Sequence, residues 1–547
     1  MKSFVALTAF LLAATSLALA AAPASRPNIV VIMADDMGYS DIGCFGSEIP
    51  TPNLDALAAG GVRFTQFYNT GRCCPTRASL TTGLYPHQAG IGHMTADQGL
   101  PGYRGTLSEN AVSIAEVLRP AGYFTAMTGK WHMSSKEGST PWTRGFDRSL
   151  SGVAGGVYFP QKNGVLFLDG KSIPHTSPEL PAGWYSTDLW TDFGLRFIDE
   201  ARAAKKPFFL YVAHNAPHFP LQAPEADIAR FRGKYRAGWD KLAAERHQRQ
   251  LASGLVDRAW KRAPRPERVQ AWDSLSEAER DRFDTIMAVY AACVSHIDTA
   301  VGRLVAGLKQ RGELDNTLIL FFSDNGGNPE AGPNGRLEGP GAPGSAESTL
   351  FCGESWAWMQ NTPLRRYKHF NDEGGISAPF IAHWPSGIKA RGEFRRDPAH
   401  LIDVMATCID LGGAKYPSSR DGKPVQSFEG VSLAPAFAGR PLGRPTPLFG
   451  EHEGNACVRD GDWKLVRVGY DAAWELYHIG RDRGEQNNLA TSQPERVRTM
   501  AAQWDSWAKR ANVTPHPKGN DAGSLRILGR EPPAEGKAKA GKKKKKG

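Results

Sequence analysis

The sequence predicts an α/β fold: a large, mostly parallel mixed sheet flanked by helices, followed by a smaller C-terminal α+β domain with a short antiparallel sheet. Two observations predict it. Short apolar, β-branched runs recur along the chain, and each stops at charged or amide residues. Such continuous runs read as strands buried on both faces. Helical stretches, such as residues 107–118 and 283–309, lie between them, which argues for parallel strands joined by crossovers.

Taken in order, residues 1–22 read as a secretory signal peptide. Lys2 precedes an apolar run from Phe4 to Leu19, with small residues at Ala20 and Ala22 for cleavage. The run is short for a membrane span, and no other segment looks like an integral membrane segment. The expectation is an exported protein, periplasmic or extracellular. The main domain is expected over residues 26–446. Within it, residues 28–33 lead into Asp35 and Asp36, and residues 123–127 into Thr128-Gly129-Lys130-Trp131-His132. Residues 207–212 lead into His214 and His218, and residues 317–322 into Ser323-Asp324-Asn325-Gly326-Gly327. Ligands bind beyond the carboxyl ends of parallel strands, so these four polar tips are expected to meet. Residues 227–282 read as a charged, helix-rich insertion covering the site. Residues 447–530 read as the small domain, with strands near 461–467 and 474–477 and a closing helix at 494–510.

The net charge of +10 comes largely from the end of the chain, where residues 536–547 carry seven lysines and no acid. The tail, 531–547, is expected to be disordered: either a plain solvated tail or one that meets acidic polymers or the cell envelope. No nucleic-acid motif is present. Seven cysteines are too few and scattered for a disulfide scaffold, and an odd number in an exported chain asks for a special thiol.

Asp35-Asp36 and Asp324-Asn325 offer only oxygen ligands, which suit a hard divalent cation such as calcium or magnesium. Each pair alone reads equally as a loop or cap; two pairs in one sheet favour the metal. Gly71-Arg72-Cys73-Cys74-Pro75-Thr76-Arg77 places Pro75 as the first residue of a helix, with Cys73 at its N-terminus, where backbone N–H groups favour negative charge. Arg77 sits one turn on. This is the chemistry of an activated nucleophile, or of two buried structural cysteines.

Cys73-x-Pro75-Thr76-Arg77, followed by Leu80, Thr82 and Gly83, resembles the signature of the type I sulfatases, a formylglycine-dependent family of the alkaline phosphatase superfamily. PNIVVIMADDMGYSDIGCFG, TGKWHM, NAPHFPLQAP, FFSDNGG, NTPLRRYKHFNDEGGISAPFIAHWP and HLIDVMATCIDLGG are similar to the same family, in its order. The stretch 367–385 and the insertion are most like bacterial arylsulfatases. Thr76 stands where serine is common.

The resemblance implies an alkaline-phosphatase-like fold and a sulfuric ester hydrolase acting on an aryl sulfate or sulfated carbohydrate. It implies that a formylglycine-generating enzyme converts Cys73 to Cα-formylglycine, while Cys74 stays a thiol. One hydroxyl of the hydrated aldehyde attacks sulfur. The second then loses its proton to His132, and sulfate leaves. One calcium ion is implied on Asp35, Asp36, Asp324 and Asn325, with residue 73 beside it. Arg77, with the metal, polarises the attacking hydroxyl, Lys130 and Lys368 meet the sulfate's negative charge, and His218 protonates the departing oxygen. His214, His400 and Asp403 are expected to support the fold, and Asp372 and Glu373 to be loop residues behind the site. Glu451-His452-Glu453 is a candidate for the substrate rim. A formylglycine-dependent phosphoester or phosphonate monoester hydrolase, and a non-catalytic glycan-binding protein, are the alternatives.

Overall fold

A computed structural model describes residues 26–152 and 157–530. The expected signal peptide and the lysine-rich tail lie outside the described residues. The main sheet has eleven strands. At its centre, β1 (Asn28–Ala34) is flanked on both sides by parallel neighbours, Phe208–Ala213 and Thr317–Ser323. Every residue of these three strands is buried. The reason is visible in β1. Val30, Ile32 and Ala34 face one hydrophobic core, and Ile29, Val31 and Met33 face the other, so from Ile29 to Ala34 both faces carry only apolar side chains.

Phe124–Lys130 extends the sheet beyond Phe208–Ala213, again in parallel. On the other side, Ser377–His383 runs antiparallel to Thr317–Ser323 and to Val62–Tyr68, which makes the sheet mixed. Register decides what happens at the edge. Ala34 lies opposite Ser323, Met33 opposite Ala213, and Gly129 opposite Ala213. The next residues, Asp35, Asp324, His214 and Lys130, therefore leave the sheet at one level. Gly129 makes this close approach possible: its φ is +105°, and a Cβ there would lie 1.9 Å from the Ala213 carbonyl oxygen.

Two helices differ from the sequence expectation. The segment 107–118 is helical only over Ile114–Leu118, where Ser113 and Glu116 form a capping box; Ser113 is the start signal, and Leu107 to Val112 form a loop ahead of it. The helix expected at 283–309 begins earlier, at Glu277, because Ser276 and Glu279 form another capping box. This helix, Glu277–Gln310, is long and apolar enough to cross a membrane, but 83% of its apolar window is buried inside the protein. The segment 227–282 contributes the helix Trp239–Ser253, short turns and the first residues of the helix Glu277–Gln310, with Trp239 packed edge-on against Trp272, Phe283 and Trp356.

Near the C-terminus, Leu448–His452, Asn455–Asp460, Trp463–Arg467 and Glu475–His478 form a four-stranded antiparallel sheet. The helix Pro494–Arg510 closes it, with Trp507 stacked on Phe449 at 5.2 Å. Buried charges join this sheet to the main body. Lys464 Nζ lies 3.0 Å from Glu373, and Arg483 Nε donates to Glu373 at 2.8 Å. Glu373 thus joins the C-terminal sheet to the main body, and Asp372 pairs with Arg365.

His400 and Asp403 support the fold, as expected. Asp403 accepts from the His400 and Val431 amides at 2.8 and 2.9 Å. His400 is buried, and burial, reinforced by Arg444, pushes its imidazole down to about 3. The unfolded chain takes this proton near 6.5, so His400 contributes stability above 6.5 that is lost as pH falls toward 3. Between pH 6.5 and about 4 the loss should be about 3 kcal/mol. Chemical denaturation of the protein and a His400→Gln variant across that range should show the variant's pH dependence reduced by that amount. Equal slopes would mean that His400 is protonated in the fold at no cost.

Candidate active site

The Cys73 helix spans Cys73–Thr82, with Arg72 at its N-cap. Pro75 is its third residue, not its first; the helix starts two residues earlier than proline alone would indicate, and Cys73 itself occupies the first turn. Cys73 is 1% exposed. A hydrogen bond from Cys74 holds its thiol well below the ordinary range against the opposing effect of burial, and His132 and Lys130 add to the lowering. Burial and the neighbouring Cys73 push Cys74 the other way. The ligand atoms of Cys73, Cys74 and His132 all lie within 4.8 Å of one another. None of the seven cysteines is in a disulfide.

Behind Cys73 lies a buried charge cluster. Arg77 donates to Asp35 at 3.1 Å, to Asp324 at 3.3 Å and to the Lys130 carbonyl at 2.7 Å. Lys130 Nζ meets Asp35 at 2.5 Å, and Lys368 Nζ meets Asp36 at 2.8 Å. His218 Nε2 lies 3.6 Å from Asp36. Asn325 and Asn328 each donate to Asp36 at 2.7 Å. The structure therefore brings together every residue singled out as catalytic or metal-binding: Asp35, Asp36, Cys73, Arg77, Lys130, His132, His218, Asp324, Asn325 and Lys368. His214 stands apart; burial pushes it down to about 4, and its charged neighbours are His296 and Asp188.

The backbone is strained at the same place. Asp36 has φ +70° and His132 φ +52°, conformations that ordinary residues adopt only where their surroundings enforce them. The electrostatics follow from dehydration. Burial alone would push Asp35 up, but Lys130, His218 and Arg77 outweigh it and hold the carboxyl well below the usual range. Asp324 goes the opposite way, raised by burial and by Asp35 despite Arg77. The cluster is thus short of positive charge at Asp324. Burial also lowers His132 and His218.

Two buried oxygens of this cluster, Asp35 Oδ1 and Asn325 Oδ1, have no hydrogen-bond partner. Buried polar atoms are rarely left so. With Asp36 and Asp324 they form an all-oxygen donor set, which fits a hard divalent cation.

Three neighbours escaped the sequence reading. Asn328 follows Asn325 by three residues and binds Asp36. Glu330 pairs with Arg72 at 2.9 Å and approaches Lys368 at 3.6 Å. His369, next to Lys368, meets Glu330 at 3.2 Å and Glu453 at 2.9 Å. Their closeness to Asp324-Asn325 and Lys368 in sequence was the available signal. Of the candidate rim residues, Glu453 and His452 reach this surround, whereas Glu451 pairs with His87 at 2.7 Å.

Comparison with known proteins agrees with this geometry. The sulfatase family model matches residues 27–414. The chain belongs to the sulfatase family. This sulfatase is 35% identical over 437 residues to an arylsulfatase of Klebsiella aerogenes, covering 76% of the chain and 92% of that protein. It is 34% identical over 530 residues to an uncharacterized sulfatase of Schizosaccharomyces pombe, covering 88% and 93%. Human arylsulfatase A is 31% identical over 522 residues, covering 86% and 85%. Among solved structures, Ps i-CgsB in complex with k-i-k-neocarrahexaose superposes with a TM-score of 0.68 at 27% identity, covering 92% of this chain and 98% of that one. The alkaline-phosphatase-like fold is likewise shared with the phosphonate monoester hydrolase of Agrobacterium radiobacter, TM-score 0.56 at 19% identity over 89% and 96%. The chain is a sulfuric ester hydrolase, of a family that generally uses formylglycine and a divalent metal ion.

Removing one partner of a buried ion pair leaves an uncompensated charge at a cost of about 3–5 kcal/mol. An Arg77→Met variant should therefore lose stability of that order in denaturant unfolding, beyond its loss of activity. A stability within about 1 kcal/mol of the parent would show that the carboxylates do not depend on Arg77.

Proposed function

We propose that this sulfatase removes sulfate from an aryl sulfate or a sulfated carbohydrate, using formylglycine made from Cys73 and a calcium ion held by Asp35, Asp36, Asp324 and Asn325. The observation that carries this reading is the position of Cys73: first residue of a helix, in contact with His132, beside the Arg77–Asp35–Lys130 cluster. The oxygen-only donor set favours calcium over softer ions. The relatives support the substrate class, since they include arylsulfatases and, at 26% identity, the N-acetylgalactosamine-6-sulfatase of Canis lupus familiaris.

Converted to formylglycine, residue 73 supplies a hydrated aldehyde with one oxygen for attack on sulfur and a second for release of sulfate. A bound divalent cation supplies positive charge against the sulfate oxygens. Arg77, Lys130 and Lys368 are already charged and desolvated, so they meet the developing negative charge without reorganising. His218 donates Nδ1–H to the Phe219 carbonyl at 2.6 Å, which orients the ring with Nε2 3.6 Å from Asp36; as the imidazolium it would give its Nε2 proton to the departing oxygen. His132, with no partner on Nδ1, is placed to take a proton from residue 73.

Because Cys73 is almost fully covered in the fold, its conversion by a formylglycine-generating enzyme belongs to the unfolded chain. The pattern of residues 1–22 supports export, to the periplasm or beyond. Specificity is assigned to the insertion 227–282, to residues 330–358 and to the small C-terminal domain. A cavity of about 990 Å³ lies between the first two, lined by Ile228, Arg232, Asp281, Leu337 and Ala342.

The first test is the mass of the peptide spanning Gly71–Arg77 in protein from its own host. It should carry an aldehyde or its hydrate at residue 73, with Cys74 alkylatable. Two alkylatable thiols in active enzyme would sink the formylglycine assignment. On the matured enzyme, nitrophenyl sulfate should be cleaved well ahead of nitrophenyl phosphate. Lys130→Ala and Lys368→Ala should each lower kcat/KM by about 100-fold or more. A reversed substrate preference would point to the phosphoester or phosphonate reading.

A further inference from the structure

We propose that His93, His452 and Glu453 form a second cation site, for a zinc-class divalent transition-metal ion, separate from the oxygen cluster at Asp35. The three residues come from distant parts of the chain. His93 lies in the loop after the Cys73 helix, His452 ends the strand Leu448–His452, and Glu453 opens the two-residue turn to Asn455–Asp460. Their ligand atoms all lie within 4.8 Å of one another.

The spacings are those of ligands around an ion. Glu453 Oε1 is 3.4 Å from His93 Nε2 and 3.6 Å from His452 Nε2. Both are longer than the usual N–H···O range of about 2.7–3.2 Å. They are close to the edge of a tetrahedron built on metal–ligand bonds of about 2.0–2.1 Å, an edge of about 3.4 Å. The His452 side chain is completely buried, yet neither of its ring nitrogens has a hydrogen-bond partner. A buried imidazole with two unsatisfied nitrogens calls for a ligand.

The surroundings prepare the site. Glu453 Oε2 is taken by His369 Nδ1 at 2.9 Å, which fixes the carboxylate and leaves Oε1 for the ion. The outer nitrogen of His93, Nδ1, lies 3.5 Å from the Gln98 side-chain amide, whose oxygen has no partner; with that amide turned over, the oxygen accepts Nδ1–H and leaves Nε2 for the ion. Arg72, whose charge acts on His452, is paired with Glu330 at 2.9 Å. Glu453 has φ +50° in a type I′-like turn with Gly454 at φ +77°, where asparagine or aspartate is usual; glutamate adds the reach to the cluster. His93 and Glu453 border a cavity of about 450 Å³ that also touches Gln98, Lys518 and Asn520, with His452 buried behind them, so a fourth position is open to water or an anionic ligand oxygen. Two imidazoles and one carboxylate select a zinc-class ion over calcium.

The test uses tag-free, full-length protein carrying Cys73→Ser, so that the Cys73, Cys74 and His132 group cannot bind a soft metal through its thiolate. The protein is stripped with chelator, saturated with calcium, and titrated with Zn2+ by calorimetry and with Co2+ by absorption. One equivalent should bind, with the intense visible bands of four-coordinate cobalt. Glu453→Gln, and His93→Gln on the partly exposed side, should each weaken binding by about 100-fold or more. The His93→Gln protein should keep the parent's melting temperature measured without zinc. Absence of a tight Zn2+ equivalent in the Cys73→Ser protein would overturn the proposal. So would an equivalent that survives both substitutions.

Discussion

Three carboxylates dehydrated at the ends of two adjacent parallel strands are the constraint on which the rest of the molecule depends. Asp35, Asp36 and Asp324 cannot remain ionised in a dry interior unless positive charge reaches them. Three elements supply it: Arg77 from a helix, Lys130 from a strand and Lys368 from a loop. Each cation is itself buried, so neither side of the cluster is stable without the other. The cluster thereby locks a helix, three strands and a long loop into one relative placement, and Cys73 is carried into position by the first of these.

This arrangement explains why strain concentrates where it does. Asp36 and His132 sit in left-handed backbone conformations that the packed sheet on one side and the ion pairs on the other over-determine. The surrounding layer is bound by the same kind of interaction. Glu330 links Arg72, Lys368 and His369, and His369 links onward to Glu453 in the C-terminal sheet. Glu373, Lys464 and Arg483 tie that sheet to the main body a second time. The small sheet is therefore coupled electrostatically to the residues next to Cys73 and Lys368.

Much of the fold was legible in the chain because the central strands are buried on both faces and read as unbroken apolar runs. The strands Val62–Tyr68 and Ser377–His383 were harder to see. Arg63 and Gln66 interrupt the first at half-buried positions, and Pro379 interrupts the second near a register shift. The site's main residues were legible because they end apolar runs or belong to short motifs. Asn328, Glu330 and His369 were marked only by lying close to Asp324-Asn325 and Lys368, and His93 by nothing local, since a ligand-facing loop residue reads like a solvated one.

The sequence by itself determined the sheet's buried strands, the polar tips that follow them, the presence of a helix beginning close to Cys73 and the family. These are local properties: burial on two faces, capping and motif spacing are all written in contiguous residues. Only the tertiary structure decided which tips share a level, which carboxylate keeps its charge and which oxygens are left without partners. It alone brought His93 to His452 and Glu453 across about 360 positions of the chain. Such long-range proximity is set by strand register and by the balance of buried charge, and neither can be read from any single stretch.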